Sequence, residues 1–107
     1  MTAPIGPVFV ALADDTRRAV LAAVAADGPT TATRLTAGVP ITRQGIAKHL
    51  VVLHDAGLVA SERRGRETVY RVVPGSLRPA TEWLAATDRA WSQRLGRLRD
   101  HLSARPR

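Results

Sequence analysis

The chain has 107 residues, with 16 lysines and arginines against 9 aspartates and glutamates, a formal net charge of +7 and no cysteine. That length fits one domain, since two would each be too small to bury a stable core, and the missing thiol removes disulfides, thiolate zinc sites and cysteine nucleophiles together. The positive excess points to a polyanionic partner, nucleic acid ahead of an anionic membrane surface. No apolar run approaches the roughly 20 residues of a membrane-spanning helix. The apolar stretch Ile5–Ala13 lacks a basic segment before it, so a soluble, cytoplasmic chain without a signal peptide is expected.

Ile5, Val8, Phe9 and Leu12 recur at helical spacing, which predicts a first helix over about 5–13, starting after Pro4 or Pro7. Asp14 or Asp15 caps a second helix that turns Thr16, Val20, Leu21 and Val24 inward and stops at Asp27-Gly28-Pro29. Thr30 or Thr31 caps a third, short helix over 32–37 anchored by Leu35, and Gly38-Val39-Pro40 breaks it. Thr42 opens a fourth over 43–56, with Ile46, Leu50 and Leu53 on one face and Gly57 as terminator. The period then changes from helical to alternating. Residues 59–63 and 67–72 flank Arg64-Gly65-Arg66, the pattern of a β-hairpin with a glycine turn. A long final helix covers 76–103, with Pro79 in its first turn.

This order predicts a single domain over 1–107, mainly α with a β-hairpin wing: a helix-turn-helix over 30–56 followed by a wing over 58–73. Leu77, Leu84, Trp91 and Leu98 fall seven apart on the last helix, and Leu95 and Leu102 continue the stripe. With 18 alanines thinning the core, so long a stripe reads as a dimer interface, joined by Ile5 and Phe9 of the first helix. The competing reading is a helix folded back onto its own core.

The residues also carry a resemblance. Leu12-Ala13-Asp14-Asp15-Thr16-Arg17-Arg18, the stretch Thr42–Leu50 with Leu53-x-x-Ala56-Gly57-Leu58-Val59 after it, and Arg64-Gly65-Arg66 with Val69-Tyr70 resemble the ArsR-type winged-helix repressors. The resemblance covers about residues 9–73 and implies a homodimeric regulator that binds an inverted-repeat operator in double-stranded DNA. Metal-sensing members of that family carry a cysteine motif in the third helix or paired carboxylate and histidine ligands in the last. Here Thr33–Ala37 has no thiol, and the last helix offers only Asp88 and a lone His101. Ala90–Leu98 is similar instead to a metal-free subgroup with a tryptophan in the final helix. Neither metal nor cofactor is expected, and the open alternatives are a ligand- or metal-responsive sensor of the same fold and a winged-helix protein-interaction module. A small-molecule effector stays unidentified.

A helix fits the major groove of B-DNA with its first turns at the base edges. Opposite Ile46, Leu50 and Leu53 fall Gln44, Lys48, Val51 and Asp55, with Arg43 and Ala47 on one flank. Gln44 can pair with adenine N6/N7 and Arg43 with guanine O6/N7, while Lys48 suits a base acceptor or a phosphate. Gly45 would let the helix approach the groove closely, Thr42 caps it, and His49 is divided between packing and a phosphate contact. Arg63, Arg64 and Arg66 at the hairpin tip, with Thr31 and Thr33 at the third helix, are expected at phosphates or the minor groove. Arg17 and Arg18 are divided between Asp14 or Asp15 and DNA. No catalytic constellation is present in the sequence, so no enzyme is expected.

Overall fold

A computed structural model describes residues 4–103, and the outermost residues of the domain expected over 1–107 lie outside them. The elements are α1 (Gly6–Leu12), α2 (Asp15–Asp27), α3 (Ala32–Leu35), α4 (Arg43–Asp55), β1 (Val59–Arg64), β2 (Glu67–Val72) and α5 (Arg78–Ser103). Local chemistry accounts for their ends. Asp14 rather than Asp15 caps α2, its carboxylate accepting the Arg17 backbone N–H at 2.8 Å. The guanidinium groups of Arg17 and Arg18 reach back to the carbonyls of Val10, Ala11 and Leu12. They thereby satisfy the acceptors that α1 leaves open at its C-terminus. Arg18 also pairs with Asp15.

Thr31, not Thr30, caps α3, accepting from the Arg34 backbone N–H at 3.1 Å. The helix is shorter than the predicted 32–37 because the chain tightens after Leu35. Thr36 and Ala37 donate to carbonyls three residues back rather than four. At the end of α4, Gly57 (φ +79°) donates to the His54 carbonyl and Leu58 to that of Leu53. That pair of bonds is a Schellman closure, with buried Leu53 and Leu58 as its apolar contact. In the hairpin Val59 pairs with Val72 through to Arg64 with Glu67. The two-residue connection, with Gly65 at φ +62° and Arg66 following, has the pattern of a type II′ turn.

One apolar cluster joins α1 to α4 and the start of the hairpin, centred on Val20, Val24, Leu35, Ile46, Leu50 and Leu53. Thr30, just before α3, forms a two-way backbone bridge with Tyr70 of β2: the Thr30 N–H donates at 3.0 Å and the Tyr70 N–H at 2.7 Å. This bridge is absent from the sequence reading, and it ties the wing to the helix-turn-helix.

Helix α5 does not fold back. Only Ala80 in its first turns is buried in the core, while Trp83 meets half-buried Phe9 edge to face at 5.7 Å between ring centroids. Beyond that contact α5 leaves the body, and the chain measures 74 × 34 × 19 Å with a radius of gyration of 19.5 Å. A compact chain of this length would have about 13 Å.

Replacing Gly57 by alanine puts a side chain on a left-handed backbone, a cost of roughly 1–2 kcal/mol. Urea unfolding of Gly57→Ala should show that loss of stability, and an unchanged midpoint would contradict the Schellman account.

Candidate nucleic-acid interface

The N-terminal end of α4 is held open by its cap. The Thr42 hydroxyl oxygen accepts the Gly45 backbone N–H at 3.0 Å, leaving Arg43 and Gln44 exposed on the first turn and Lys48 on the second. Ala47 between them is half buried. A side chain at Gly45 would come within 3.3 Å of the Thr42 hydroxyl and 3.4 Å of Ile41. The glycine is therefore accounted for by packing against its own cap.

Between α3, α4 and the wing runs an open groove of about 280 Å³. Thr33, Arg43 and Ala47 line one side, and Arg63, Arg66 and Tyr70 the other. Three arginines thus share one channel with one carboxylate, that of Glu67, and with the hydroxyl-bearing Thr33, Thr68 and Tyr70. Thr31 reaches the floor of the channel but is only 6% exposed, and its hydroxyl oxygen is occupied in capping α3. It belongs to the frame rather than to the surface.

The three wing arginines do not act as one cluster. Strand alternation sends Arg63 toward α4, and its Nε donates to the Gly65 carbonyl at 3.1 Å. Arg64 lies on the opposite face, 3.3 Å from Glu62, with Arg71 at 4.0 Å from the same carboxylate. Arg66, at the turn, faces the groove with Arg63. The sequence shows three arginines at a tip; only the pairing register divides them.

A family described as a helix-turn-helix domain matches residues 12–62. The chain is 46% identical over 72 residues to the uncharacterized HTH-type transcriptional regulator YuzN of Bacillus subtilis, covering 62% of this chain and 75% of that protein. It is 36% identical over 85 residues to the HTH-type transcriptional regulator Rv2034 of Mycobacterium tuberculosis, covering 79% and 76%. Among solved structures, an ArsR-like transcriptional regulator from Rhodococcus sp. RHA1 superposes with a TM-score of 0.76 at 34% identity, over 90% of both chains. The chain belongs to the ArsR family of helix-turn-helix transcriptional regulators.

Among the described residues, no three side chains of histidine, aspartate or glutamate converge as metal ligands would. Asp88 and His101 lie exposed along α5. His49 is half buried on the flank of α4 away from the wing, close enough to Asp14 for its charge to act on that carboxylate. His54 and Asp55 lie beside each other at the end of the helix, 3.7 Å apart. The residues expected at a dimer interface divide in two. Ile5 and Phe9 are half buried, whereas Leu77, Leu84, Trp91, Leu95 and Leu98 are exposed. Trp83 stands on the flank of the same stripe and escaped the seven-residue count because it falls one position before Leu84.

The Asp14 carboxyl sits below the ordinary aspartate value. The Arg17 backbone N–H bonded to it is the main cause; partial desolvation opposes the shift and the charge of His49 adds to it. A carboxyl with a lowered native pKa stabilises the fold above its unfolded value of about 3.9, and that contribution fades as pH falls through the native value. Asn caps helices as well as Asp but does not titrate. The stability gap between the wild type and Asp14→Asn should therefore shrink between pH 6 and pH 2.5 in urea titrations. A gap that stays constant would contradict the assignment.

Proposed function

We propose that this ArsR-family regulator is a homodimeric repressor that binds an inverted-repeat operator in duplex DNA. The observation that carries the reading is the shared exposure of Arg43, Gln44 and Lys48 on the first two turns of α4, beside a groove walled by Arg63 and Arg66. In the major groove, Gln44 offers a bidentate amide to adenine N6/N7 and Lys48 a donor to a guanine or thymine acceptor. Arg43, which the sequence suggests for guanine, borders the groove with the wing arginines and serves the backbone there as well. Arg63 and Arg66 track phosphates, with Thr33 donating from the start of α3. Arg64 and its Glu62 partner face outward and contribute less.

The second copy is supported by α5. Leu84, Trp91, Leu95 and Leu98 run along it at helical spacing, each about half exposed in the single chain. A stripe of that size in water marks an association surface, and the Phe9–Trp83 pair extends it onto α1. Two chains joined there would present two α4 helices to successive major grooves, about 34–36 Å apart. A protein-interaction module would show several apolar side chains on the outer face of α4, where Gln44, Lys48 and Asp55 are polar or charged and Val51 alone is apolar.

Gel shifts, footprinting and sedimentation check this. In gel shifts on duplex DNA, affinity should fall steeply with salt, and Arg66→Ala should weaken every sequence alike and flatten the log–log slope by about 1. Gln44→Ala should instead relax base preference, at roughly 1–3 kcal/mol for the lost contact. An operator footprint unchanged in a Gln44→Ala/Lys48→Ala double variant would overturn the reading face. For the dimer, sedimentation at micromolar concentration should give two copies for the wild type and one for Trp91→Glu/Leu98→Glu, whose altered residues touch no core. A wild type that sediments as a stable monomer would refute the association.

A further inference from the structure

We infer that Val51 is a specificity-determining residue that takes up the C5-methyl group of a thymine in the operator. This rests on the proposed placement of α4 in the major groove and names a base contact beyond Arg43, Gln44 and Lys48. The inner face of α4, carrying Ile46, Leu50 and Leu53, is completely buried. Its outer face runs Gln44, Lys48, Val51 and Asp55, spaced four, three and four apart. Val51 is 57% exposed and is the one apolar side chain in that row. A β-branched residue is also a poorer helix former than the alanine or glutamine an exposed position would otherwise favour, so helix stability does not account for it.

Chemistry narrows what can cover it. The edges of all four base pairs in the major groove present hydrogen-bond donors and acceptors, and the only apolar group among them is the thymine methyl. An isopropyl group pressed on a polar edge would strip its water and return no hydrogen bond, which is costly. Pressed on a methyl it buries apolar surface on both sides. Val51 lies about 10 Å along the helix axis from Gln44. The methyl it meets is therefore at most about three base-pair steps of 3.4 Å from the base that Gln44 reads. Asp55, the next residue of the row, brings a carboxylate toward the phosphates, so Val51 is the last position of this face suited to DNA. Ala47 on the neighbouring flank is half buried and presents only a single methyl.

The test is deoxyuridine scanning of a footprinted operator duplex: each thymidine is replaced singly by deoxyuridine, which deletes the methyl and keeps every hydrogen bond. One replacement per half-site should weaken wild-type binding about 4-fold, the worth of one methyl group removed from water. Val51→Ala should bind more weakly than the wild type and show no further loss with that same deoxyuridine. Wild-type affinity unmoved by deoxyuridine at every position, with Gln44→Ala still impaired, would overturn the inference and leave the operator reading standing. Equal deoxyuridine sensitivity in Val51→Ala would also overturn it, because another side chain would then hold the methyl. A wild type that protects no duplex at all would remove both the operator reading and this contact.

Discussion

Two backbone hydrogen bonds between Thr30 and Tyr70 set the geometry on which the interface depends. A two-stranded hairpin alone is marginal in water, and among the described residues β1 and β2 pair only with each other apart from this bridge. By pairing β2 with Thr30, two residues before α3, the fold fixes the wing against the helix that precedes α4. Thr31, the next residue, then caps α3, and Leu35 and Val39 anchor the turn that leads into α4. The wall of the groove that carries Arg63 and Arg66 and the wall that carries Thr33 and Arg43 are thus held at a set separation by main-chain bonds. A basic channel built on flexible side chains is in this way given a rigid frame.

Much of this was legible in the sequence wherever the signal was local. The cap at Asp14 or Asp15, the Thr42 cap, the Leu53-x-x-Ala56-Gly57-Leu58 closure and the change of period at Val59 each announce an element through residues within one or two turns. The element boundaries follow to within a few residues. What the sequence did not disclose is non-local. A single-residue bridge such as Thr30–Tyr70 has no periodicity to betray it. The split of Arg63 from Arg64 needs the register of the hairpin, and the packing of Gly45 against Ile41 needs the path of the chain into α4. Thr30 and Thr31, equivalent as cap candidates on paper, take different tasks because only one of them lies opposite Tyr70.

The final helix shows how composition and structure answer different questions. Residues 74–107 carry seven basic and three acidic side chains, more net charge than the recognition helix and wing together. Yet α5 stands away from the groove, and Arg89, Arg94, Arg97 and Arg99 are exposed along it. On the proposed operator reading its charge would add general attraction for DNA, whereas base reading would fall to the few side chains on the outer face of α4. In the proposed dimer, the apolar stripe on the same helix would let an alanine-rich core of modest size suffice. Much of the large apolar surface of the chain lies on α5 outside that core, where a second copy would bury it.

The central claim is that two such chains read one symmetric site through paired α4 helices. Selection of bound sequences from a pool of random duplexes tests it most directly. Paired α4 helices should enrich an inverted repeat whose half-sites are centred about one helical turn apart, about 10–10.5 base pairs. Enrichment of a single asymmetric site, or of no sequence over the starting pool, would contradict it.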